Sequence, residues 1–305
     1  MILTFLLCVL PSDACAWQTS ASTEPTAGAG QGGDTEKLAW KLEKGQKFNV
    51  TLSKTADVTT KVDARTRKVD AETILELDWE VASSDDAGVV IRQTVKRIRL
   101  TSGNQGDVSP LRLDYDSAIK VYRSGLSGKV SKQYQPAIGL VSTFKLSPEG
   151  KVSDFANEAG QEKKTEKLPD GSAVKEMLTG KSAALAISKM TDLAWQSELN
   201  DSAIVKRPVK SELGDFVRVD QYKFKSNDGQ TVVDVETSAE GLDEGNTTAK
   251  VGQYKGQGSI VFNDSAGFIT QSSTTMTVAS QSPYKDLTVE SLTEVQTTMT
   301  LNETQ

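Results

Sequence analysis

The chain has 305 residues and a formal net charge of −6, contains no histidine, and has two cysteines, Cys8 and Cys15. Ser-His-Asp and Cys-His catalysis need an imidazole base, which the chain lacks. Structural zinc needs Cys or His ligands, and a chain that loses its first residues as an export signal has neither. An acidic chain also lacks the basic face that binds nucleic acid. We therefore expect binding or structure rather than catalysis, with no cofactor, no metal and no nucleic-acid partner.

Residues 1–16 are typical of a cleavable export signal. An almost continuous apolar run over 2–10 is broken by Pro11, and the tripeptide ACA at 14–16 matches the small-residue cleavage pattern. The Lys or Arg that usually precedes such a run is missing. A helix over the run would reach only about 14 Å, against about 30 Å for a hydrocarbon core, so we expect no membrane span. The sequence predicts export to the periplasm, the cell surface or the extracellular space.

A lipid anchor on Cys15 is the alternative to free export. The small residue Ala14, just before the cysteine, fits a bacterial lipobox, whereas Ser12 and Asp13 do not. The sequence therefore disfavours lipidation at this cysteine.

Composition divides the rest of the chain into a spacer, two β-rich halves and a link. Residues 17–37 are rich in Ser, Thr, Gly and Ala without periodicity, which is typical of a flexible spacer. Alternating apolar and polar residues predict an N-terminal β half over 38–156 and a C-terminal β half over 200–305. A charged link with short helices is predicted over 157–199.

We predict a mainly β (α+β) fold of long antiparallel curved sheets, with one or two short helices between the halves. Similar stretches open the two halves, GQKFNV at 45–50 and GDFVRV at 214–219, so the halves are candidate repeats. Turn residues at 147–150, 226–229 and 263–267 indicate three hairpins.

The clearest hairpin lies over 75–100. In 75–81 apolar residues alternate with acidic ones, which predicts a strand with one buried face. After a turn at 84–88 the apolar phase flips near 96–97, as an inserted bulge residue would cause. We expect the basic residues of the second strand to neutralise the acidic ladder of the first: Lys96, Arg97 and Arg99 opposite Glu76, Asp78 and Glu80.

Residues 172–195 are rich in Ala, Leu, Met and Lys, with apolar residues spaced along one helical face. Gly180 predicts a break into two short helices. Ser172 is interpreted as an N-cap, because its S-x-x-K match to Lys175 lacks the motifs that accompany Ser-Lys catalysis. The G-x-G-x-x-G match at 28–33 lies in the spacer, without the strand and helix that dinucleotide binding needs.

Trp40, Trp79 and Trp195 are large apolar side chains in a chain with 6% aromatic residues. Core packing is one interpretation of all three. The other is that they line a site for an apolar ligand inside a curved sheet. They are the candidate ligand-binding residues, and the sequence indicates no catalytic, cofactor or metal residues.

Several short blocks carry a resemblance to known sequences: LAWKLEKGQKF at 38–48, LDWEV at 77–81, QTVKRIRL at 93–100, YDS at 115–117 and LSPEG at 146–150. Together they resemble an uncharacterised family of exported bacterial β-rich proteins, a domain of unknown function. The resemblance implies bacterial export and a two-part β architecture, and it transfers no catalytic residues. At the level of fold alone, long antiparallel strands with short helices behind a signal are similar to periplasmic lipoprotein-carrier half-barrels.

We predict an exported, non-enzymatic envelope protein that binds a ligand or partner on a concave sheet. The ligand would be a lipid or another apolar or amphiphilic molecule, and the partner another envelope protein. A structural or adhesion protein of the cell surface is the alternative, suggested by Thr-rich strands and the spacer. A carboxylate-based hydrolase using Glu76 or Asp78 is the third hypothesis.

Overall fold

The computed structural model describes residues 38–105, 112–119, 125–193, 202–211, 214–241, 250–284 and 286–304. The predicted signal and spacer, both cysteines and Trp195 lie outside these residues. The predicted fold class is confirmed, because the described chain is mostly strand with few short helices.

The strands are β1 (Lys47–Val62), β2 (Arg65–Asp85), β3 (Gly88–Gln105), β4 (Arg112–Asp116), β5 (Val141–Leu146), β6 (Val152–Asn157), β7 (Ser202–Ser211), β8 (Gly214–Asn227), β9 (Gln230–Glu240), β10 (Lys250–Asn263), β11 (Phe268–Tyr284) and β12 (Leu287–Thr304). The helices are α1 (Gly125–Tyr134), a 3₁₀ turn (Gln135–Ala137), α2 (Glu162–Glu166), α3 (Ala173–Leu178) and α4 (Gly180–Thr191). The turns predicted at 147–150, 226–229 and 263–267 each join a hairpin, namely β5–β6, β8–β9 and β10–β11.

The twelve described strands form one antiparallel, unclosed sheet in the order β6-β5-β3-β2-β1-β12-β11-β10-β9-β8-β7, with β4 beside β3. The first and last strands meet in the middle, where β1 pairs with β12 from Lys47↔Thr304 to Val62↔Val289. We call this pairing the seam. Strands from both predicted halves therefore belong to a single sheet, and a repeat relation between the halves stays a prediction.

The sheet curves around the helices. α4 contacts β6 at one edge and also β11, which lies six places away in the strand order, so the face that carries the helices is concave. We call it the inner face. Its core includes a row of four residues that are 0% exposed and that pair across adjacent strands: Met299, Leu52, Leu75 and Ile98. Burying each such side chain contributes about 1.5–3 kcal/mol.

The predicted β2–β3 hairpin and its bulge are confirmed. Val95 pairs with Leu77 and Arg97 pairs with Glu76, so Lys96 is the extra residue that shifts the register. The predicted charge pairing also holds for two members of the acidic ladder. Arg99 Nη2 lies 3.0 Å from Glu76 Oε1, and Lys96 Nζ lies 2.9 Å from Asp78 Oδ2.

Asp116, at the end of β4, is a partner of the basic run that the sequence did not indicate. Arg97 Nε donates to Asp116 Oδ1 at 2.9 Å and Arg97 Nη2 donates to Oδ2 at 2.5 Å, which makes a bidentate pair. These hydrogen bonds hold the pKa of the Asp116 carboxyl at about 2, below its usual 3.8. On the outer face of the sheet, this pair links β4 to β3, the strand beside which it lies.

We expect Arg97→Gln to raise the pKa of Asp116 from about 2 toward 3.8. A lowered folded-state pKa adds stability that is complete above the unfolded value and is lost as the pH falls through the folded value. The unmodified protein should therefore lose this contribution between pH 3.8 and about 2, and the variant should not. An NMR titration of the Asp116 carboxyl carbon measures the shift. Arg99→Gln, which removes a more distant charge, is the control, and an equal shift in both variants would contradict the assignment.

The predicted pair of helices is confirmed as α3 and α4. Ser172 caps α3, since its Oγ accepts the Lys175 backbone N–H at 3.2 Å. Gly180, with φ +54°, begins α4 directly after the break. Helix α1 was not predicted, because its sequence GLSGKVSKQY contains two glycines and no continuous apolar stripe.

Candidate functional site

The structure places two of the three candidate tryptophans in the core. Trp40 is 5% exposed and its indole N–H donates to the Thr191 carbonyl at 3.1 Å. Trp79 is 0% exposed and its indole N–H donates to Gln93 Oε1 at 2.9 Å. A buried indole with a satisfied N–H is typical of core packing. Trp195 lies outside the described residues, and a ligand-lining role for the three side chains stays a prediction.

The acidic ladder lies on the outer face of β2, opposite the buried Leu75 and Leu77. Glu76 accepts a hydrogen bond from Arg99, and Asp78 forms an ion pair with Lys96. These cross-strand contacts account for both charge runs as a solvated, neutralised sheet surface.

The long strands extend well beyond the helices. β1 and β12 have 16 and 18 residues, about 53 and 59 Å in length, whereas α4 has 12 residues and is about 18 Å long. We call the helices that pack on the inner face the helical cover. On β1 it reaches as far as Lys54, whose Nζ lies 3.5 Å from Glu176 Oε2 of α3. Beyond Lys54, the inner-face residues of β12 and β11 are half-exposed.

Two adjacent rows of inner-face residues beyond Lys54 define what we call the trough. Its members on β1, β2 and β3 are mostly buried beside α1 and α3, and its members on β12 and β11 are partly exposed. The rows follow the register of paired strands across nine strands, from β3 to β7. The first row is Ser102, Ala71, Ala56, Val295, Met276, Gly256, Thr237, Asp220 and Val205. The second row is Asn104, Val69, Val58, Thr293, Val278, Tyr254, Ala239, Arg218 and Arg207.

The middle of the trough is apolar and adaptable. Val295, Met276 and Val278 keep their side chains half-exposed there. On the neighbouring β10, a Cβ added to Gly256 would collide with the Met276 sulfur, so the glycine lets the Met276 side chain lie across the strand. Because a thioether chain adapts its rotamers to what it contacts, Met276 can adjust the floor to a bound molecule.

A small cavity of about 60 Å³ lies at the β3 end of the trough. Ala56, Ala71 and Ser102 form its base, and Tyr134 of α1 and the start of α3 form its wall. The Ser102 hydroxyl is buried there and has no hydrogen-bond partner among the described residues. The cavity holds a few water molecules at most, so a larger ligand has to lie in the open trough.

The opposite end of the trough, on β7 and β8, carries a charge cluster around the fully buried Asp220. Arg207 Nη1 donates to Asp220 Oδ2 at 2.7 Å, and Arg218 Nε donates to Oδ1 at 2.6 Å. Thr237 Oγ1 donates to the same Oδ1 at 2.6 Å. The Arg207 and Arg218 side chains remain 31% and 18% exposed. One buried carboxylate therefore fixes two guanidinium groups whose side chains remain partly exposed.

Two neighbours set the protonation of this cluster. Burial lowers the pKa of the Arg207 guanidinium, but the negative charge of Asp220 and the hydrogen bond to Tyr222 raise it, and the net shift is upward. Burial raises the pKa of the Tyr222 phenol. Arg207 is therefore charged and Tyr222 neutral at physiological pH. Asp192, which follows α4, is a second acidic group that acts on Arg207.

The sequence reasoning missed the trough and its charge cluster. A partial signal was present, because Arg218 and Asp220 occupy the same strand parity as the apolar Phe216, Tyr222 and Phe224. Charged residues at core-facing positions of a strand are uncommon and indicate either a buried pair or a site.

Within the described residues, no helix is both long and apolar enough to cross a membrane. The same residues contain no group of three or more His, Cys, Asp or Glu side chains that could hold a metal ion.

No family model and no curated protein matches the chain, so the family resemblance, which the sequence indicates over most of residues 38–270, stays a prediction. Among solved structures, lipovitellin, determined for its lipid–protein interactions, matches with 9% identity and a TM-score of 0.49 over 86% of this chain and 25% of that chain. This chain thus spans a quarter of the lipovitellin chain. The COG4313 outer membrane channel of Pseudomonas putida F1 matches with 7% identity and a TM-score of 0.22, over 90% of this chain and 100% of that one. The translocator domain of the autotransporter NalP from Neisseria meningitidis matches with 8% identity and a TM-score of 0.20, over 84% and 88%. Similarities at this level carry no argument about function.

Proposed function

We propose that this chain is an exported, non-enzymatic envelope protein that binds an apolar or amphiphilic ligand in the trough of its inner face. The observation that carries the proposal is the half-exposure of Val295, Met276 and Val278 on a concave surface beyond the helical cover. Covering apolar surface of this kind is favourable by roughly 25 cal/mol per Å². A bound apolar chain would bury these three side chains, which the helices do not cover.

The outer face of the sheet is largely polar, although Ile204 and Leu292 are exposed on it. On the outer face of the same strands, Lys223 Nζ lies 2.9 Å from Glu236 and Lys225 Nζ lies 2.7 Å from Asp234. Such exposed ion pairs contribute little to stability but keep a surface solvated. The difference between the faces supports a ligand on the inner side.

The dimensions of the trough favour an extended ligand over a compact one. From β3 to β7 it crosses eight gaps between neighbouring strands, about 38 Å along the curved sheet. The enclosed cavity of about 60 Å³ is far below the volume of an ordinary ligand pocket. A long, flexible molecule lying across the strands therefore fits better than a small rigid one. Export, inferred from residues 1–16, places this binding in the cell envelope or outside the cell.

We expect the delipidated protein to bind Nile red, a neutral apolar dye, and Val295→Asp to weaken that binding about tenfold or more. An ionised carboxylate in the middle of the trough would lose its hydration under a bound apolar molecule. Dye fluorescence measures the affinity, and near-ultraviolet circular dichroism checks that the variant keeps its tertiary packing.

Leu292→Asp is the matched control for Val295→Asp. It lies on the same strand with its side chain on the outer face, 45% exposed. The Leu292→Asp variant should bind Nile red with the same affinity as the unmodified protein. Absence of dye binding by the unmodified protein, or equal losses in the two variants, would reject the trough as the site.

A further inference from the structure

We infer that the trough takes a single-chain amphiphile with an anionic headgroup, bound at Arg207 and Arg218, with its chain running across the strands toward the Ala56–Ala71 cavity. This inference rests on the proposed function and adds to it the polarity of the ligand and its direction. It follows from the distribution of charge on the inner face, the geometry of the charge cluster, and the path between the two ends.

The uncovered inner face is basic although the whole chain carries a net charge of −6. Among the described strand residues of that face beyond Lys54, Asp220 is the one acidic residue. The basic residues at the same level are Arg65, Arg67, Arg207 and Arg218. Acidic residues of these strands lie on the outer face, as Asp57 and Asp70 do on β1 and β2. A cationic surface inside an acidic protein is complementary to an anionic ligand.

The cluster at β7 and β8 presents guanidinium groups in a fixed orientation. Both oxygens of Asp220 accept hydrogen bonds within the cluster, one from Arg207 and one from Arg218 and Thr237. Each guanidinium carries five N–H donors in a planar fork that matches a carboxylate or phosphate. Asp220 therefore orients the two forks. Arg207 is also hydrogen-bonded to Tyr222, and the N–H groups on its exposed side are the ones that could donate to a headgroup.

Asp192 also acts on Arg207, so the formal charges of Arg207, Arg218, Asp220 and Asp192 cancel. Recognition of the headgroup would therefore come from directed N–H donors in a half-buried position, and less from net charge. Such charge-assisted hydrogen bonds are about twice as strong as neutral ones. This predicts preference for an anionic amphiphile over a neutral one of equal chain length.

The path from the cluster to the cavity is mostly apolar, with Tyr254 and Thr293 as its polar members, and it is long enough for an acyl chain. From Arg218 on β8 to Ala71 on β2 it crosses six gaps between strands, about 29 Å. Along it lie Ala239, Val278 and Val58, all in the second row. A headgroup held at β7–β8 therefore directs its chain over the apolar middle of the trough and toward the small cavity.

The test is displacement of Nile red from the full delipidated chain by palmitate, by hexadecanol and by acetate. Palmitate and hexadecanol have the same chain length and differ in charge, while acetate offers the carboxylate alone. We expect palmitate to displace the dye at a concentration about tenfold or more below that of hexadecanol. Acetate at palmitate concentrations should displace neither dye nor palmitate.

The headgroup site is then assigned with Arg207→Gln, in which Asp220 keeps Arg218 and Thr237 as partners. This variant should bind palmitate no better than hexadecanol. Lys206→Gln is the matched control, because Lys206 is the residue next to Arg207 and its side chain lies on the outer face. Its Nζ atom is 2.9 Å from Glu240 Oε2. It should keep the palmitate preference.

Equal affinities of the unmodified protein for palmitate and hexadecanol would overturn the inference, and that comparison needs no variant to fold. Competition by acetate would overturn it too, because it would indicate a site for small anions in general. A palmitate preference that survives in Arg207→Gln and in Arg218→Gln would place the headgroup elsewhere, and this result would also overturn the inference. Nile red binding reports separately on the proposed function.

Discussion

Gly150→Ala should lower the free energy of unfolding by about 2–5 kcal/mol, a large cost for one added methyl group. Gly150 has φ +80°, in the left-handed region that disfavours residues with a Cβ. A Cβ at this position would also collide with the Thr191 carbonyl and with the Trp40 indole nitrogen. Neither neighbour can retreat easily, because the indole N–H is bonded to that same carbonyl.

The surrounding hydrogen bonds explain why the collision would spread. The backbone N–H of Trp40 donates to the Pro148 carbonyl at 2.9 Å, and the backbone N–H of Leu193 donates to the Glu149 carbonyl at 2.6 Å. The Thr191 hydroxyl donates to the Gly150 carbonyl at 2.6 Å. The turn between β5 and β6 thus joins the segment before β1 to the end of α4. Displacing Gly150 would strain all of these contacts together.

Gly160→Ala is the control for Gly150→Ala. Gly160 has a similar φ of +82°, and no atom lies within 4 Å of a Cβ added there. It should show the backbone cost alone, about 1–2 kcal/mol. Chemical denaturation followed by tryptophan fluorescence measures both variants. Equal losses of unfolding free energy in the two variants would show that the residues around Thr191 and Trp40 rearrange without destabilising the protein.

Leu52→Ala should destabilise the protein by about 2–5 kcal/mol. Leu52 is 0% exposed and lies at the seam between Met299 on β12 and Leu75 on β2. Truncation leaves a cavity at the point where the two ends of the chain pair. We therefore expect faster hydrogen exchange in both β1 and β12, measured by mass spectrometry of peptides from each strand.

Ser53→Ala is the control for Leu52→Ala, because the adjacent side chain points to the outer face. It should change stability by less than about 0.5 kcal/mol. If β12 kept its protection in Leu52→Ala while β1 lost it, the two strands would not unfold as one unit, contrary to the pairing described.

Local signals allowed much of the fold to be predicted from the sequence. The hairpins β2–β3, β5–β6, β8–β9 and β10–β11 follow from alternation and turn residues, which act over a few residues. The bulge at Lys96 was visible because it shifts the parity of every later apolar residue. The pairing of β1 with β12 had no such signal, since the two strands lie at opposite ends of the described chain and no turn joins them.

The candidate site depended on that non-local pairing. Strand parity alone places Arg207 and Arg218 on core-facing positions, but only the β7–β8 register puts them side by side. The trough likewise exists because β1, β12 and β11 are neighbours, which brings Ala56, Val295 and Met276 into one row. The tryptophans were singled out for their size, and the structure places Trp40 and Trp79 in the core, while a ligand-lining role for them stays a prediction.

The seam also governs the order of events during synthesis. Gln46 and Glu303 are hydrogen-bonded at a separation of 257 residues, so the centre of the sheet cannot close until β12 has left the ribosome. Until then β1 has one unpaired edge, and closing so large a loop is slow because its entropy is lost before the contacts form. The chain therefore reaches the end of translation with the two parts of the sheet, on either side of the seam, still unjoined.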